Sequence, residues 1–444
     1  MIGRISNILL VLLFNAVLVK MLAKQTVGDY FLTLSFISFF ALIATFGATN
    51  IAIKRFSDEF NNKTSSMTMS LHSFLLLNTF TSIIVLIFVA IAYQYNLSDH
   101  FGIQFSGMQV ILLCLWIWAQ GLQVILTELF RALGKFLATT LTANLFVNLV
   151  NCGILLAYYM SDTAITFDIV ITFIVVNTTI VTLFSLITGY RLCRKHDGDQ
   201  PSSDVFEQTV KFFFDSTPSF INKLGLYFTV LADIWLVALF FSKEVVADYG
   251  IAVKLATLLA IFLTIANGFV PTYIGRLKSE GRRVVERFMR LTATLVMIPT
   301  LVLFLVLFFK SDWLITVIFE SSYVSAASFV SILIFAQLFN VVVGSCNYAL
   351  VMEGMNVTLM KISIVSGVAA VGLSYLLVSM GGDSLSIAYA FTLVAILKQV
   401  TVYLTVKRYC KINTAMYLSP FEFIANVKEM IAISRRLDAN NNDK

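Results

Sequence analysis

Four ionisable residues lie inside long apolar stretches of the chain: Lys223, Asp233, Lys254 and Lys398. A charge inside a lipid bilayer is costly, so such side chains usually face a water-filled cavity or an opposite charge. A lysine ammonium in a cavity binds phosphate or carboxylate groups as a point charge. Because three of the four residues are lysines, the sequence predicts a cavity that receives an anionic ligand.

Some of these residues also have a structural alternative. The Lys223 side chain could extend to the aqueous interface, whereas Lys398 has no evident acidic partner and is assigned to the cavity. Asp233 and Lys254 could form a structural salt bridge. Counted from the ends of their apolar stretches, they differ in depth by about 5 Å at 1.5 Å per residue. We therefore predict that Asp233 and Lys254 approach each other beside the cavity.

The composition of the chain indicates a membrane protein. Of its 444 residues, 59% are hydrophobic and only 13% are charged, against about 25% charged in soluble domains. The net charge of +6 is not concentrated in basic stretches with interleaved aromatic residues, so nucleic-acid binding is not expected. The five cysteines form no CxxC pair and the three histidines are scattered. We therefore expect free thiols and neither a metal nor another cofactor.

Twelve apolar stretches are long enough to cross a bilayer as helices. The predicted transmembrane helices are residues 5–22, 30–53, 71–93, 108–130, 137–160, 167–189, 212–241, 249–273, 291–309, 326–352, 362–380 and 386–405. The first stretch has no basic segment before it and no cleavage site of small residues. It is therefore interpreted as a membrane helix and not as a signal peptide.

The distribution of Lys and Arg determines the predicted orientation. Basic residues near the ends of spans are retained in the cytoplasm, and 24 of the 31 fall on one alternating set of connecting segments. The opposite set holds four, and the other three lie within spans. This asymmetry predicts a multi-pass membrane protein with both termini in the cytoplasm.

The chain repeats itself at half its length. Residues 24–30, Lys-Gln-Thr-Val-Gly-Asp-Tyr, recur at 243–249 as Lys-Glu-Val-Val-Ala-Asp-Tyr, an offset of 219. Residues 134–160 align with residues 354–380 at an offset of 220. Because six spans separate the copies, both copies have the same orientation in the membrane. This arrangement places a substrate cavity between two bundles related by an axis along the membrane normal.

The repeat predicts an all-α polytopic membrane protein, with 12 transmembrane helices in two pseudo-symmetric six-helix bundles around a central cavity. The bundles are residues 1–205 and 206–405, and residues 406–444 form a cytoplasmic tail. Within the tail, residues 419–422 have the sequence of a capping box. The apolar residues after it recur at helical spacing and predict an amphipathic helix on the cytoplasmic leaflet: Phe423, Ile424, Val427, Met430 and Ile431.

Four short motifs occur in a fixed order over nearly the whole chain. They are Lys20–Leu22 with Val27–Tyr30, Ser216–Pro218 with Asp233, Asp248, Tyr249 and Lys254, Val270 with Pro271, and Ile318–Ala326. Together they resemble the polysaccharide-exporter or O-antigen flippase family, which shares a superfamily with multidrug and toxin extrusion antiporters and lipid II flippases. Two features depart from these relatives: Lys20 stands where arginine is commoner, and lipid II flippases have longer chains with fourteen spans.

The resemblance implies a protein of the bacterial inner membrane that moves an undecaprenyl-diphosphate-linked oligosaccharide to the outer leaflet by alternating access. The oligosaccharide would be an O-antigen repeat unit of lipopolysaccharide or of a similar surface polysaccharide. Spans one, two, seven and eight would line the cavity. The expected partners are this substrate, membrane lipids and other polysaccharide assembly proteins. The predicted substrate-pathway residues are then Lys20 and Arg55, where the family often has a basic residue, together with Lys223, Asp233, Lys254 and Lys398.

Two other functions remain open. A drug or cation antiporter would use the same fold, but buried carboxylates should then dominate its cavity, and only Asp233 is acidic here. A membrane polysaccharide polymerase, which is an enzyme, generally has a large outer loop with arginines. The longest outer loop in this chain, residues 310–325, has 16 residues and one basic residue, Lys310. The sequence therefore favours the flippase.

Overall fold

The described residues form α-helices joined by turns. The computed structural model describes residues 2–62, 67–95, 105–197, 204–277, 281–417, 419, 421–423, 425–427 and 429. Internal contacts divide the chain into two compact units, residues 1–250 with 318–320 and residues 251–317 with 321–444. These bounds differ from the predicted junction at residue 205, and the superposition of the two predicted bundles stays a prediction.

The first unit contains ten helices and the beginning of an eleventh. They are α1 Ile2–Met21, α2 Lys24–Thr45, α3 Thr49–Asn62, α4 Met67–Gln94, α5 Gly107–Ala132, α6 Phe136–Thr140, α7 Phe146–Met160, α8 Phe167–His196, α9 Val205–Val230, α10 Asp233–Phe240 and α11 Lys243–Leu258. Its main core lies among α3, α4, α5 and α9, where Phe74 stacks on Phe212 with 4.4 Å between ring centroids. Since lipid is as apolar as this core, the rings stabilise the unit chiefly by close packing.

The second unit continues α11 from Ile251 and adds seven helices. They are α12 Ile261–Asn267, α13 Val270–Leu277, α14 Arg282–Ile318, α15 Ala326–Val343, α16 Cys346–Met352, α17 Asn356–Ser379 and α18 Ser384–Thr405. Its core joins α13, α14, α16 and α18 around buried residues such as Met289, Leu350 and Val402.

The described helices agree with the predicted membrane spans. Nine are long and apolar enough to cross a bilayer, and two bent pairs, α9 with α10 and α11 with α12, bring the number to 11. A further apolar stretch, Ile5–Met21 in α1, is shorter. This set is consistent with the twelve predicted crossings, each of which falls on one helix or on consecutive helices separated by a break.

Besides the two bent pairs, two further predicted spans are interrupted by a turn that the hydropathy pattern did not indicate. The span predicted at 30–53 ends as α2 at Thr45, because Phe46 and Gly47 take left-handed conformations with φ of 44° and 68°. The span predicted at 326–352 breaks between α15 and α16, where Gly344 has φ of 67°. A glycine takes this conformation without the steric cost of a Cβ atom.

The start of the C-terminal tail packs on the second unit. The Met416 amide donates to the Val342 carbonyl oxygen at 3.1 Å, and the Arg290 guanidinium lies 3.9 Å from the centroid of the Tyr417 ring. Burial raises the pKa of the Tyr417 phenol, and Arg290 opposes that shift. Residues 421–423 and 425–427 are helical, and Glu429 pairs with Arg287 at 2.6 Å. Of the predicted apolar face, three residues lie outside the described ranges: Ile424, Met430 and Ile431.

Candidate functional site

Lys223 lies beside the break between α2 and α3. Its ammonium donates a hydrogen bond to the Thr49 hydroxyl at the start of α3. The turn packs closely on α9, since a Cβ atom on Gly47 would overlap the Phe220 amide nitrogen. The Phe46 ring also stacks on Phe220, with 4.4 Å between centroids. The predicted cation therefore stands at an irregular, tightly packed point of the first unit.

Lys223 has no carboxylate within ion-pair distance among the residues that the structure describes. Glu128 is close enough to act on it electrostatically. The Glu128 carboxylate, however, pairs with Arg131 at 2.9 Å on its own helix. Lys223 is thus a half-buried cation whose hydrogen bond goes to a neutral hydroxyl.

Asp233 begins α10, directly after the bend of 49° that separates α9 from α10. Its carboxylate accepts a hydrogen bond from the Tyr249 hydroxyl at 2.8 Å and another from the Ile234 amide at 2.9 Å. Both the Asp233 and the Tyr249 side chains are buried. The predicted contact between Asp233 and Lys254 stays a prediction; the sequence analysis missed Tyr249 as a partner of this carboxylate.

Arg55 lies on α3 and pairs with Glu59, one turn later, at 2.6 Å. Glu59 is only 2% exposed and also accepts a hydrogen bond from the Ser70 hydroxyl at 2.6 Å. Gln208 on α9 donates to the same Ser70 hydroxyl at 3.1 Å. The predicted residue Arg55 is therefore part of a polar network that joins α3, α4 and α9. Glu59 was missed, although its i, i+4 spacing from Arg55 is a signal for a helical ion pair.

A cavity of about 410 Å³ opens beside this network, between α3 and α9. Six of its lining residues are ionisable, three basic and three acidic: Lys54, Arg55, Asp58, Glu207, Lys211 and Asp215. The predicted topology puts this end of the first unit at the cytoplasmic surface. The charges of both signs make this cavity hydrophilic, and its basic residues are Lys54, Arg55 and Lys211.

Ionic contacts also hold together the beginnings of α2 and α11. Lys24 pairs with Asp248 at 2.7 Å, and Lys243 pairs with Asp29 at 2.9 Å. The predicted residue Lys20 lies nearby in sequence, at the end of α1, and its side chain is exposed. The predicted topology puts these helix ends at the outer surface.

The second unit contains the remaining two predicted residues. Lys398 on α18 is 4% exposed, and it makes no hydrogen bond or ion pair within the described ranges. The next residue, Gln399, donates to the Asn340 side-chain oxygen at 2.8 Å. Lys254 is half-buried on α11, a little more than one turn before that helix ends at Leu258. Lys398 is therefore a buried lysine, and the Cys346 thiol is close enough to act on it electrostatically.

Comparison with known proteins identifies the family of the chain. The family of polysaccharide biosynthesis proteins matches residues 1–277, which is more than half of the sequence. The chain belongs to this family. No curated protein sequence matches it significantly.

Solved structures with the same fold are membrane transporters. The lipid II flippase MurJ in an inward closed conformation is similar over 97% of this chain and 90% of its own, with 16% identity and a TM-score of 0.64. The MATE multidrug transporter DinF-BH is similar over 93% and 94%, with 13% identity and a TM-score of 0.62. A mutant of the Vibrio cholerae MATE transporter VcmN is similar over 92% and 94%, with 15% identity and a TM-score of 0.61. This member of the polysaccharide biosynthesis family thus has a fold that it shares with membrane transporters, as the sequence predicted.

Proposed function

We propose that the chain is a flippase that moves an undecaprenyl-diphosphate-linked oligosaccharide, such as an O-antigen repeat unit, across the bacterial inner membrane. The family concerns polysaccharide biosynthesis, and the fold is shared with a lipid II flippase and with multidrug transporters. The mechanism is alternating access, in which bundles 1–205 and 206–405 move against each other with both termini in the cytoplasm. The central observation in support is that the buried carboxylates have polar partners, whereas two lysines have no carboxylate partner within the described residues.

The buried carboxylates described above all have polar partners, whereas two lysines have no carboxylate within the described residues. Glu59 pairs with Arg55, Asp248 pairs with Lys24, and Asp233 accepts two hydrogen bonds. Lys223 donates to a hydroxyl, and Lys398 makes no hydrogen bond or ion pair within the described part of the chain, although the Cys346 thiol lies near it. A desolvated cation without a counter-ion favours an anionic ligand. This pattern supports a diphosphate or acidic sugar as ligand, and it argues against a cation antiporter.

The proposed substrate pathway contains the six predicted residues. Arg55 would meet the diphosphate at the cytoplasmic cavity, and Lys223 and Lys398 would hold it within the membrane. Lys254, with Asp233 beside it, and then Lys20 would lie nearer the outer surface. Each lysine offers a point charge and not the bidentate contact of arginine, which suits a ligand that must be released again.

The test is transport in proteoliposomes that contain the purified chain and an undecaprenyl-diphosphate-linked oligosaccharide. Arrival of the glycan at the opposite leaflet is measured with an impermeant lectin. Lys223→Met and Lys398→Met should each lower the initial rate by about tenfold or more, since a charge-assisted contact contributes about 1.5–3 kcal/mol.

Matched controls are Lys135→Met and Lys361→Met, because both lysines are exposed. These variants should transport at the rate of the unaltered chain. Unchanged rates in both the Lys223 and the Lys398 variants would refute the proposed pathway. Efflux of a cationic dye from the same vesicles, abolished by Asp233→Asn, would instead establish the antiporter.

A further inference from the structure

The two copies of the sequence repeat begin α2 and α11, and they contact each other in the first unit. Each copy has a lysine at its first position and an aspartate at its sixth. Each lysine pairs with the aspartate of the other copy and not with its own. Lys24 lies 2.7 Å from Asp248, and Lys243 lies 2.9 Å from Asp29.

This exchange is the contact pattern of a two-fold axis. In an isologous contact, if residue i of one copy meets residue j of the other, then j also meets i. A residue on the axis must meet its own equivalent. Gln25 and Glu244 occupy the same position in the two copies, and the Gln25 amide donates to the Glu244 carboxylate at 2.5 Å. The repeat therefore forms a pseudo-symmetric contact of two ion pairs around a central hydrogen bond.

The backbones at this contact are as close as their side chains allow. A Cβ atom on Gly28 would overlap the Lys243 carbonyl oxygen, and one on Gly250 would overlap the Phe31 ring. Ala247, the counterpart of Gly28, is fully buried. The carboxylate of Asp248 is 7% exposed, and that of Asp29 is 20% exposed. The contact is thus sealed from water below the two ion pairs.

We infer that the reciprocal pairs Lys24–Asp248 and Lys243–Asp29 form the outer gate of the transport pathway, closed in this structure. The role of this contact in transport rests on the proposed function, whereas the contact itself does not. Movement of α2 away from α11 must break both pairs together, because the axis makes them equivalent. Re-forming both pairs returns the gate to the closed state, so the pairs shift the opening equilibrium toward that state.

Two double variants with identical composition and net charge test this gate. The pair exchange, Lys24→Asp with Asp248→Lys, keeps two opposite-charge contacts. The repeat exchange, Lys24→Asp with Asp29→Lys, puts aspartate against Asp248 and lysine against Lys243. Only the second variant should hold the gate open. The fourfold variant, with all four residues exchanged, restores both opposite-charge contacts. If it closes the gate again, the repeat exchange opened the gate and did not misfold the chain.

The readout is labelling of Ala247→Cys by a membrane-impermeant maleimide added to spheroplasts. The same chain without this substitution gives the background of the five native cysteines. The repeat exchange should label roughly tenfold faster, the factor that a change of about 1.4 kcal/mol in the closing equilibrium gives. The pair exchange and the fourfold variant should label as slowly as the unaltered gate.

Equal labelling of the two double variants, or a fourfold variant that stays as reactive as the repeat exchange, would overturn the inference. Labelling requires no glycan, so the two proposals are separable. A chain that shows the expected labelling but transports no lipid-linked oligosaccharide keeps its gate and loses the proposed substrate.

Discussion

Removing the Tyr249 hydroxyl should cost the protein stability in a way that depends on whether Asp233 is present. In Tyr249→Phe the buried carboxylate keeps only the Ile234 amide as a donor. Losing a buried hydrogen bond to a charged group costs about 1.5–3 kcal/mol, and stranding a buried hydroxyl in Asp233→Ala costs about 1–3 kcal/mol. In the double variant neither group is stranded. Its cost should therefore fall below the sum of the single costs by about 1–3 kcal/mol.

The free energies are measured by unfolding the purified chain with increasing SDS in mixed micelles. Asp233→Asn is the matched control, because its amide oxygen still accepts from the Tyr249 hydroxyl while the charge is lost. It should cost less than Asp233→Ala. If the two single costs add in the double variant to within about 0.5 kcal/mol, the two side chains are not coupled and the contact has no energetic role.

Gly28→Ala should weaken the outer gate, because its Cβ atom would overlap the Lys243 carbonyl oxygen. The control Gly153→Ala meets open space and should be neutral. The labelling rate of Ala247→Cys compares the two variants. Arg55→Ala should destabilise the protein by about 1–3 kcal/mol, since it removes the counter-ion of a buried carboxylate; SDS titration measures the loss. Cysteines at position 279, outside the described residues, and at Ser322 should label from the cytoplasmic and the outer side respectively. Labelling from one side would refute the twelve-span topology.

Hydropathy predicted where the helices lie, but not where they break. Apolar side chains suit a lipid-facing helix on either side of a bend, so a broken span and a straight span have the same composition. Gly47 and Gly344 were available signals, because both adopt positive φ at a helix end. The bends after Val230 and Leu258 have no glycine or proline at the break. Pro218 lies inside α9, which continues past it.

The sequence predicted which residues belong to the candidate site better than it predicted which residues they contact. The cost of a charge in lipid singled out Lys223, Asp233 and Lys398, whatever their neighbours. The contact of Asp233 with Tyr249 depends on the bend before α10, which places the aspartate at a helix start. Depth along a straight helix, the only measure available from the sequence, carries no information about such a bend.

The two copies of the repeat make equivalent contacts at the outer gate, but they differ at Asp233 and Tyr249. At an offset of 219, Asp233 corresponds to Phe14, and Tyr249 corresponds to Tyr30. The first copy accordingly has a ring contact between Phe14 and Tyr30, with 6.3 Å between centroids, where the second has a hydrogen-bonded carboxylate. Helix α1 of the first copy is continuous, whereas its counterpart bends by 49° between α9 and α10. Both copies break in the next span, the first after Thr45 and the second, by 52°, after Leu258. Transporters form their substrate sites at discontinuous helices. A symmetric contact treats both copies alike, whereas recognition of a particular ligand needs groups that differ between them, such as Asp233 in place of Phe14.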